Sequence, residues 1–336
     1  MVASASRRTP SAIDALGEGI SHMREKLFPF SFVGWLTLGF VSLLESCGSG
    51  SGGGGGIQNR LGKSGGASGS IGDPIRAIEG AFNWIADHMI LFVGGLMVVM
   101  LVSLLFMWLR SRTIFVYIDD VATGRFDLVR PWGQHGALAD SFFGLSLVVQ
   151  GTAFIVIVLI VGLGTLFVVW ARAQAWAVGV ILMGVIPIGF IFVLALITAA
   201  LLDMALRDFI APIQISRNLG SQAAGGVLLS MVSGNPGLFI GYALLKFLVG
   251  IGIGIVLFIG VCLTCCIGAL PLVNQTLFQP IYYAERAWSL KLLAQMGDDV
   301  AGTLLPPPSG SRYDDPGDAP TGPINLSEVN LDEPQV

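Results

Sequence analysis

Four stretches of this chain are long, apolar and nearly free of charge, and they leave few folds open. Met89–Leu109 and Ala177–Leu202 carry no charged residue. Phe142–Trp170 has only Gln150 as a strongly polar interruption, and Gly237–Pro271 has the single charge Lys246. A hydrocarbon core about 30 Å thick is crossed by about 20 residues of helix, so each stretch is a candidate span. Pro187, inside the third, is tolerated in such a helix where neighbours re-satisfy the freed carbonyl. Gly237–Pro271 would run about 52 Å at 1.5 Å per residue, so it must tilt, project or break near Cys262–Gly268.

Two weaker segments complete the set. Pro29–Leu44 is a thin span containing Trp35. Leu272–Trp288 is more polar, with Asn274, Gln275 and Gln279, and ends in Tyr282, Tyr283 and Trp288, aromatics that favour the membrane interface. The reading is therefore an all-α, polytopic helical membrane protein with about six spans, near 29–44, 89–109, 142–170, 177–202, 237–266 and 272–288. Basic residues alternate accordingly. Arg7, Arg8, Arg24, Lys26, Arg110, Arg112, Arg125, Arg130, Arg207, Arg217, Arg286, Lys291 and Arg312 fall on one side, against Arg60, Lys63, Arg76 and Arg172 on the other. By the positive-inside rule both termini are cytoplasmic. With 54% hydrophobic and 12% charged residues, against about 25% charged in soluble domains, a soluble globular fold is excluded. A net charge of −4 offers no nucleic-acid footprint, and four cysteines make no disulfide framework.

The membrane domain, 29–296, is preceded by a cytoplasmic amphipathic segment, 1–28. There Ile13, Leu16, Ile20, Met23 and Leu27 repeat at helical spacing behind Ser11 as N-cap. Ile75, Ile78, Phe82, Ile85 and Met89 form a second such face, and both helices are expected to lie in the interface. Residues 47–72, dominated by Gly and Ser, read as a flexible outward loop. Residues 297–336, rich in Pro and carboxylates, read as a disordered acidic tail.

Catalytic patterns are weak. Gly62-Lys63-Ser64-Gly65-Gly66 fits the nucleophile-elbow pattern but sits in low-complexity sequence without the strand-to-helix turn that motif needs. Cys262, Cys265 and Cys266 lack a nearby histidine, and His22, His88 and His135 lie in three separate segments, so no metal or cofactor site is expected. Leu44-Glu45-Ser46-Cys47 has the outline of a lipoprotein cleavage site, with Cys47 as the lipidation candidate. An uncleaved first span is the competing reading.

Lys246 is the notable residue. An intramembrane charge is costly and by default suggests a functional site, although its long stem can snorkel to the interface. Asp203 and Asp208 are candidate partners, and Gln150, Asn274, Gln275 and Gln279 candidate members of a polar transport or pairing seam. Gly237, Gly241, Gly250 and Gly254 are spaced for close helix packing, within the chain or against a second copy. Arg207-Asp208 and Asp119-Asp120 place further charge at the cytoplasmic boundary.

Several short motifs carry a resemblance. Leu27-Phe28-Pro29-Phe30, Trp35, Leu38-Gly39-Phe40, Arg112 with Phe115 and Asp119, Pro131-Trp132, Asp208-Phe209 with Pro212, and Asn235-Pro236 with Phe239 and Tyr242 resemble an uncharacterised family of bacterial multi-span membrane proteins. A more distant likeness is to the membrane domain of some glycerophosphodiester phosphodiesterases, without their catalytic domain. The resemblance implies a bacterial inner-membrane protein and no particular activity. Two functions are expected: a non-enzymatic scaffold or assembly factor that contacts the bilayer and a membrane-protein partner or second copy, or a transporter or channel for a small solute or lipid using the polar seam around Lys246.

Overall fold

The computed structural model describes residues 10–28, 30–47, 87–174, 176, 178–264 and 270–305, and all regular structure among them is helical. The elements are α1 (Ala12–Leu27), α2 (Phe32–Cys47), α3 (Met89–Thr123), α4 (Val129–Gln134), α5 (Gly136–Ala173) and α6 (Val178–Ala205). A π-helical turn (Leu206–Ile210) leads into α7 (Ala211–Arg217), α8 (Ser221–Gly234), α9 (Pro236–Leu263), α10 (Pro271–Leu277), α11 (Gln279–Gln295) and α12 (Val300–Leu304). Ile75, Ile78, Phe82 and Ile85, the Gly/Ser stretch 48–72, the side chain of Cys47, Cys265 and Cys266, and residues 306–336 lie outside the described residues.

Four helical runs are long and apolar enough to cross a membrane: Met89–Thr123, Gly136–Ala173, Gly179–Arg217 and Pro236–Leu263. Phe32–Ser46 is apolar but shorter. The most hydropathic parts of the long runs are almost wholly exposed. Their polar ends converge on a buried region formed by the second half of α3, the π turn, α7, the start of α9, α11 and α1.

Local chemistry explains where the elements stop. α3 ends at Gly124, whose left-handed φ of 70° lets its N–H reach the Asp120 carbonyl. A Cβ there would also meet Lys26 Cδ at 2.8 Å. The widened turn Leu206–Ile210 precedes Pro212, which lacks an N–H to continue the ladder; its five residues turn Asp208 and Phe209 inward.

The segment expected as a sixth span, 272–288, is not one helix. It divides at Phe278 because Pro280, at the start of α11, cannot donate back into α10. Beyond the break, Tyr283 and Trp288 are fully buried rather than at an aromatic belt. Tyr283 donates to the Val121 carbonyl (3.0 Å) and Trp288 Nε1 to the Ala12 carbonyl (2.8 Å).

α1 begins as expected, with the Ser11 hydroxyl accepting from the Asp14 N–H at 3.3 Å. Of its apolar face, Leu27 is buried and Leu16 and Met23 pack partly against the core. Ile13 stays 71% and Ile20 43% exposed, while Ala15 and Gly19 are buried against α11. At Gly19 a Cβ would stand 2.9 Å from the Trp288 backbone nitrogen, so small residues set the helix separation. The fold also continues past residue 297, the expected start of the tail: Asp298 is buried and holds Arg217 at 2.6 and 3.0 Å, and Val300 is buried.

A buried cluster of six charges as the candidate functional site

The exposed apolar runs of α3 and α6 stop at the charges Arg110 and Asp203, and α9 carries Lys246 in its first half. Past them, four elements bring charged side chains to one place. The π turn supplies Arg207 and Asp208, α9 supplies Tyr242 and Lys246, α11 supplies Glu285 and Arg286, and α2 supplies Glu45. Asp208, 1% exposed, is the hub. Lys246 Nζ donates to its Oδ2, which also accepts from the Tyr242 hydroxyl at 3.0 Å. Arg207 Nε donates to Oδ1 at 3.3 Å, and Arg286 Nη1 stands 3.8 Å from the same oxygen. Glu285 receives Arg207 Nη2 at 2.8 Å and Lys246 at 3.2 Å, while Glu45 receives Arg286 Nη2.

Three cations thus face three carboxylates, and the cluster is electrically neutral. Phe209 packs on Tyr242 and on Phe239 with ring centroids 5.1 and 5.2 Å apart, and Tyr242 packs on Trp288 at 4.9 Å. This aromatic wall keeps water from the Asp208 side of the cluster. Low polarity strengthens each pair but also makes desolvation expensive.

The six polar residues expected near Lys246 fall into separate groups. Asp208 is with it. Asp203 instead takes Arg110 Nη2 on both carboxylate oxygens (2.9 and 3.1 Å) and accepts from Gln150 Nε2 at 3.2 Å. Gln279 donates to the Tyr117 hydroxyl at 3.0 Å. Gln275 accepts from Ser42 at 2.7 Å and donates to Ser46 at 3.1 Å, and Asn274 accepts from the Tyr282 hydroxyl at 2.8 Å. The candidate packing glycines Gly237, Gly241, Gly250 and Gly254 meet no atom within 4 Å of where a Cβ would stand, so none of them seats a described helix of this chain. Cys262 is exposed and free, and no group of three or more His, Cys, Asp or Glu side chains able to hold a metal occurs among the described residues.

Glu45, Glu285 and Arg286 were not singled out as partners of Lys246. Glu45 ends an apolar run, which invites a boundary reading, and only tertiary contact reveals Arg286 opposite it. A second charged group lies at the far end of α3. Fully buried Asp119 receives Arg130 Nη2 at 2.5 Å and stands 3.1 Å from His135 Nε2. Arg112 binds Asp140 at 2.8 and 2.9 Å and lies over the Trp108 and Trp132 rings. On α1, His22 Nε2 lies 2.8 Å from the Val121 carbonyl and its ring stacks on Tyr283. Burial holds the His22 pKa below its ordinary value; the Val121 carbonyl opposes this, and Lys291 and Lys26 reinforce it.

Asp208, Phe209, Phe239 and Tyr242, which carried the family resemblance, are the hub and wall of the cluster; Arg112, Phe115 and Asp119 belong to the neighbouring buried groups. The comparison with known families agrees. A model of a family of unknown function, DUF7544, matches residues 10–294. The chain belongs to the DUF7544 family. No curated protein and no solved structure matches it, and nothing in the comparisons supports the likeness to phosphodiesterase membrane domains. The DUF7544 match starts just before α1 and ends within α11, so the helix pair that closes the buried region lies inside the family's unit.

Proposed function

We propose that this DUF7544 protein is a non-catalytic, membrane-embedded scaffold or assembly factor. The observation that carries the reading is the neutrality of the Lys246 cluster. Each cation there has a carboxylate of the same chain and each carboxylate a cation, so the cluster works as a latch joining α2, the π turn, α9 and α11. A residue that relays a solute or a proton must exchange partners during its cycle; here Lys246 is held by Asp208, Glu285 and Tyr242 together. The alternative, a carrier for a small solute or lipid, would use the same lysine in a state where this latch is open.

Chain direction supports six crossings with both termini on one side. α3 and α6 run toward the buried region and α5 and α9 away from it, while α1 and α11 pack together within it. α2 stays beside the buried region, with Gly34 near Phe126 and Glu45 paired with Arg286, so parity alone requires the two remaining crossings, one before Met89 and one between Leu263 and Gln279. The basic residues Arg24, Lys26, Arg110, Arg112, Arg125, Arg130, Arg207, Arg217, Arg286 and Lys291 belong to the buried region and its rim, which places that side in the cytoplasm. In this arrangement Ile13 and Ile20 of α1 face the interface.

Native mass spectrometry of the full chain, extracted gently from its own membrane, tests the reading. A stoichiometric second polypeptide, retained when Lys246→Met and Glu285→Gln are combined, is the expected result. A monomer that binds a discrete solute, and loses it in that double variant while remaining folded, overturns the scaffold in favour of transport.

A further inference from the structure

The α5–α6 hairpin is closed along one half and open along the other. In the half remote from the charges, Phe167 packs so tightly on Gly184 that a Cβ there would stand 2.3 Å from its ring, and Ile188 approaches Gly164 to 3.2 Å on the same measure. Trp176 packs edge-on against Phe167 and Trp170. Nearer the charges, past Pro187, the helices part around a groove of about 520 Å³. Its walls are Val148, Thr152, Val156 and Ile160 on α5 and Ile191, Ala195, Thr198 and Leu202 on α6, with other small and aliphatic residues between.

Two features identify the occupant. From Ile191 to Leu202 the groove runs about 17 Å at 1.5 Å per residue, roughly the depth of one leaflet of a 30 Å core, and Phe167 on Gly184 blocks its continuation. A partner's spanning helix would need an open path through both leaflets. The open end, next to Leu202 and Val149, abuts the Arg110–Asp203–Gln150 group. Asp203 is 33% exposed, and among the described residues its Oδ2 accepts one bond, from Arg110 at 3.1 Å, whereas Oδ1 accepts two. A carboxylate has about four acceptor positions, so Oδ2 has capacity for a further donor beside the mouth of the groove.

We propose that this groove binds one acyl chain of a membrane lipid whose headgroup donates an N–H or O–H to the Asp203 carboxylate. The site is distinct from the Lys246 cluster and does not depend on the scaffold reading. Thr152 and Thr198 do not oppose an apolar occupant, because a helical threonine can return its hydroxyl to a backbone carbonyl; Thr198 does so to Leu194 at 2.9 Å.

The full-length protein is placed in phosphatidylcholine vesicles containing a small fraction of a phosphatidylethanolamine that carries a diazirine on one acyl chain, and the photolabelled peptides are mapped. The expected result is enrichment on Val148–Ile160 and Ile191–Leu202 over the other exposed helical segments. Unlabelled phosphatidylethanolamine should compete about tenfold better than phosphatidylcholine, whose quaternary ammonium cannot donate, the factor expected of a hydrogen bond to a charged group. Ala199→Phe, which fills the groove, should abolish the enrichment, while Val193→Phe on the exposed face leaves it. Even labelling of all four long helices in the wild-type protein, or a second polypeptide crosslinked along the groove, overturns the proposal. Equal competition by the two lipids overturns the role of Asp203.

Discussion

α3 is one uninterrupted helix with two kinds of surroundings. Met89–Phe106 is exposed along its whole length, while from Arg110 to Thr123 every residue except Arg112 is buried. The exposed half is built from Leu, Met, Val and Phe, and the buried half includes Arg110, Thr113, Asp119 and Asp120. Every charged residue of α3 lies in its second half, which also carries the apolar core residues Ile114, Phe115, Val116, Ile118 and Val121. A helix surrounded by lipid gains nothing from hiding its apolar side chains, because acyl chains are as apolar as leucine. What must be hidden and paired are the charges, since hydrocarbon offers them no partner. Stability in this protein should therefore reside in the polar region and be nearly indifferent to the apolar one.

The sharpest test of that contrast is the hub. Asp208→Ala leaves Lys246, Arg207 and Arg286 with one carboxylate fewer in a buried site, where breaking a pair by removing one partner costs about 3–5 kcal/mol. Leu101→Ala, on the exposed half of α3, should change stability by no more than about 0.5 kcal/mol. Thermal unfolding of both variants in one detergent measures the difference. If Leu101→Ala proves as damaging as Asp208→Ala, the exposed half packs against something and the contrast fails.

A second test concerns how closely the buried region is packed. Gly19→Ala puts a methyl group 2.9 Å from the Trp288 backbone nitrogen, and backbone cannot swing away as a side-chain tip can. A loss of about 1–3 kcal/mol is expected from overpacking. Gly17, half a turn away on the same helix, has nothing within 4 Å of its Cβ position. Gly17→Ala should accordingly stabilise by about 0.5–1 kcal/mol through helix propensity. Opposite signs for two identical substitutions, read from unfolding midpoints, are the expected outcome.

A third prediction sharpens the account of the latch. Lys246→Met alone leaves three carboxylates facing two arginines, and Glu285→Gln alone leaves three cations facing two carboxylates. Combined, they restore neutrality. The double variant should be more stable than the sum of the single losses by about 0.5–3 kcal/mol, as expected of residues in contact. Strict additivity would mean that Lys246 and Glu285 do not share one electrostatic site.

How much of this was legible in the chain follows the same division. Length and hydropathy locate exposed apolar helices well, because a span such as Met89–Leu109 requires nothing from the rest of the molecule. The buried region is harder, because its partners lie far apart in sequence. Glu45 and Arg286 are 241 positions apart and Gln279 and Tyr117 are 162 apart, and no local period announces such pairs. The face that α1 turns to α11 is hard to read for a related reason. Hydrophobic periodicity weights Ile13 and Ile20, whereas close approach to α11 selects Ala15 and Gly19, which contribute little to any hydropathy sum. The break at Phe278 was foreshadowed by Pro280, a signal outweighed by the aromatic residues that follow it. Lys246 and Asp208 were found because charge near an apolar run is rare enough to notice.

The smallest expected effect belongs to His22, which joins α1 to the buried half of α3. Its pKa is held below the ordinary value of 6.5, chiefly by burial, so the folded protein binds fewer protons at this site than the unfolded chain. Stability from this residue is fully present above about pH 6.5 and declines as pH falls through the unfolded value, levelling off once the pH is below the depressed folded one. Protonation charges a ring stacked on Tyr283 and near Lys26 and Lys291, so it should first loosen α1 from α3 and α11. Hydrogen exchange of α1 amides, followed from pH 8 to pH 5 and corrected for the intrinsic rate, should show protection falling in that window. In His22→Gln, which keeps a donor for the Val121 carbonyl but cannot titrate, the profile should be flat, with the exposed half of α3 unchanged in both proteins. A wild-type profile as flat as the variant's would show that His22 does not couple α1 to α3, and would leave the contact of Gly19 with Trp288 on α11 to hold α1 in place.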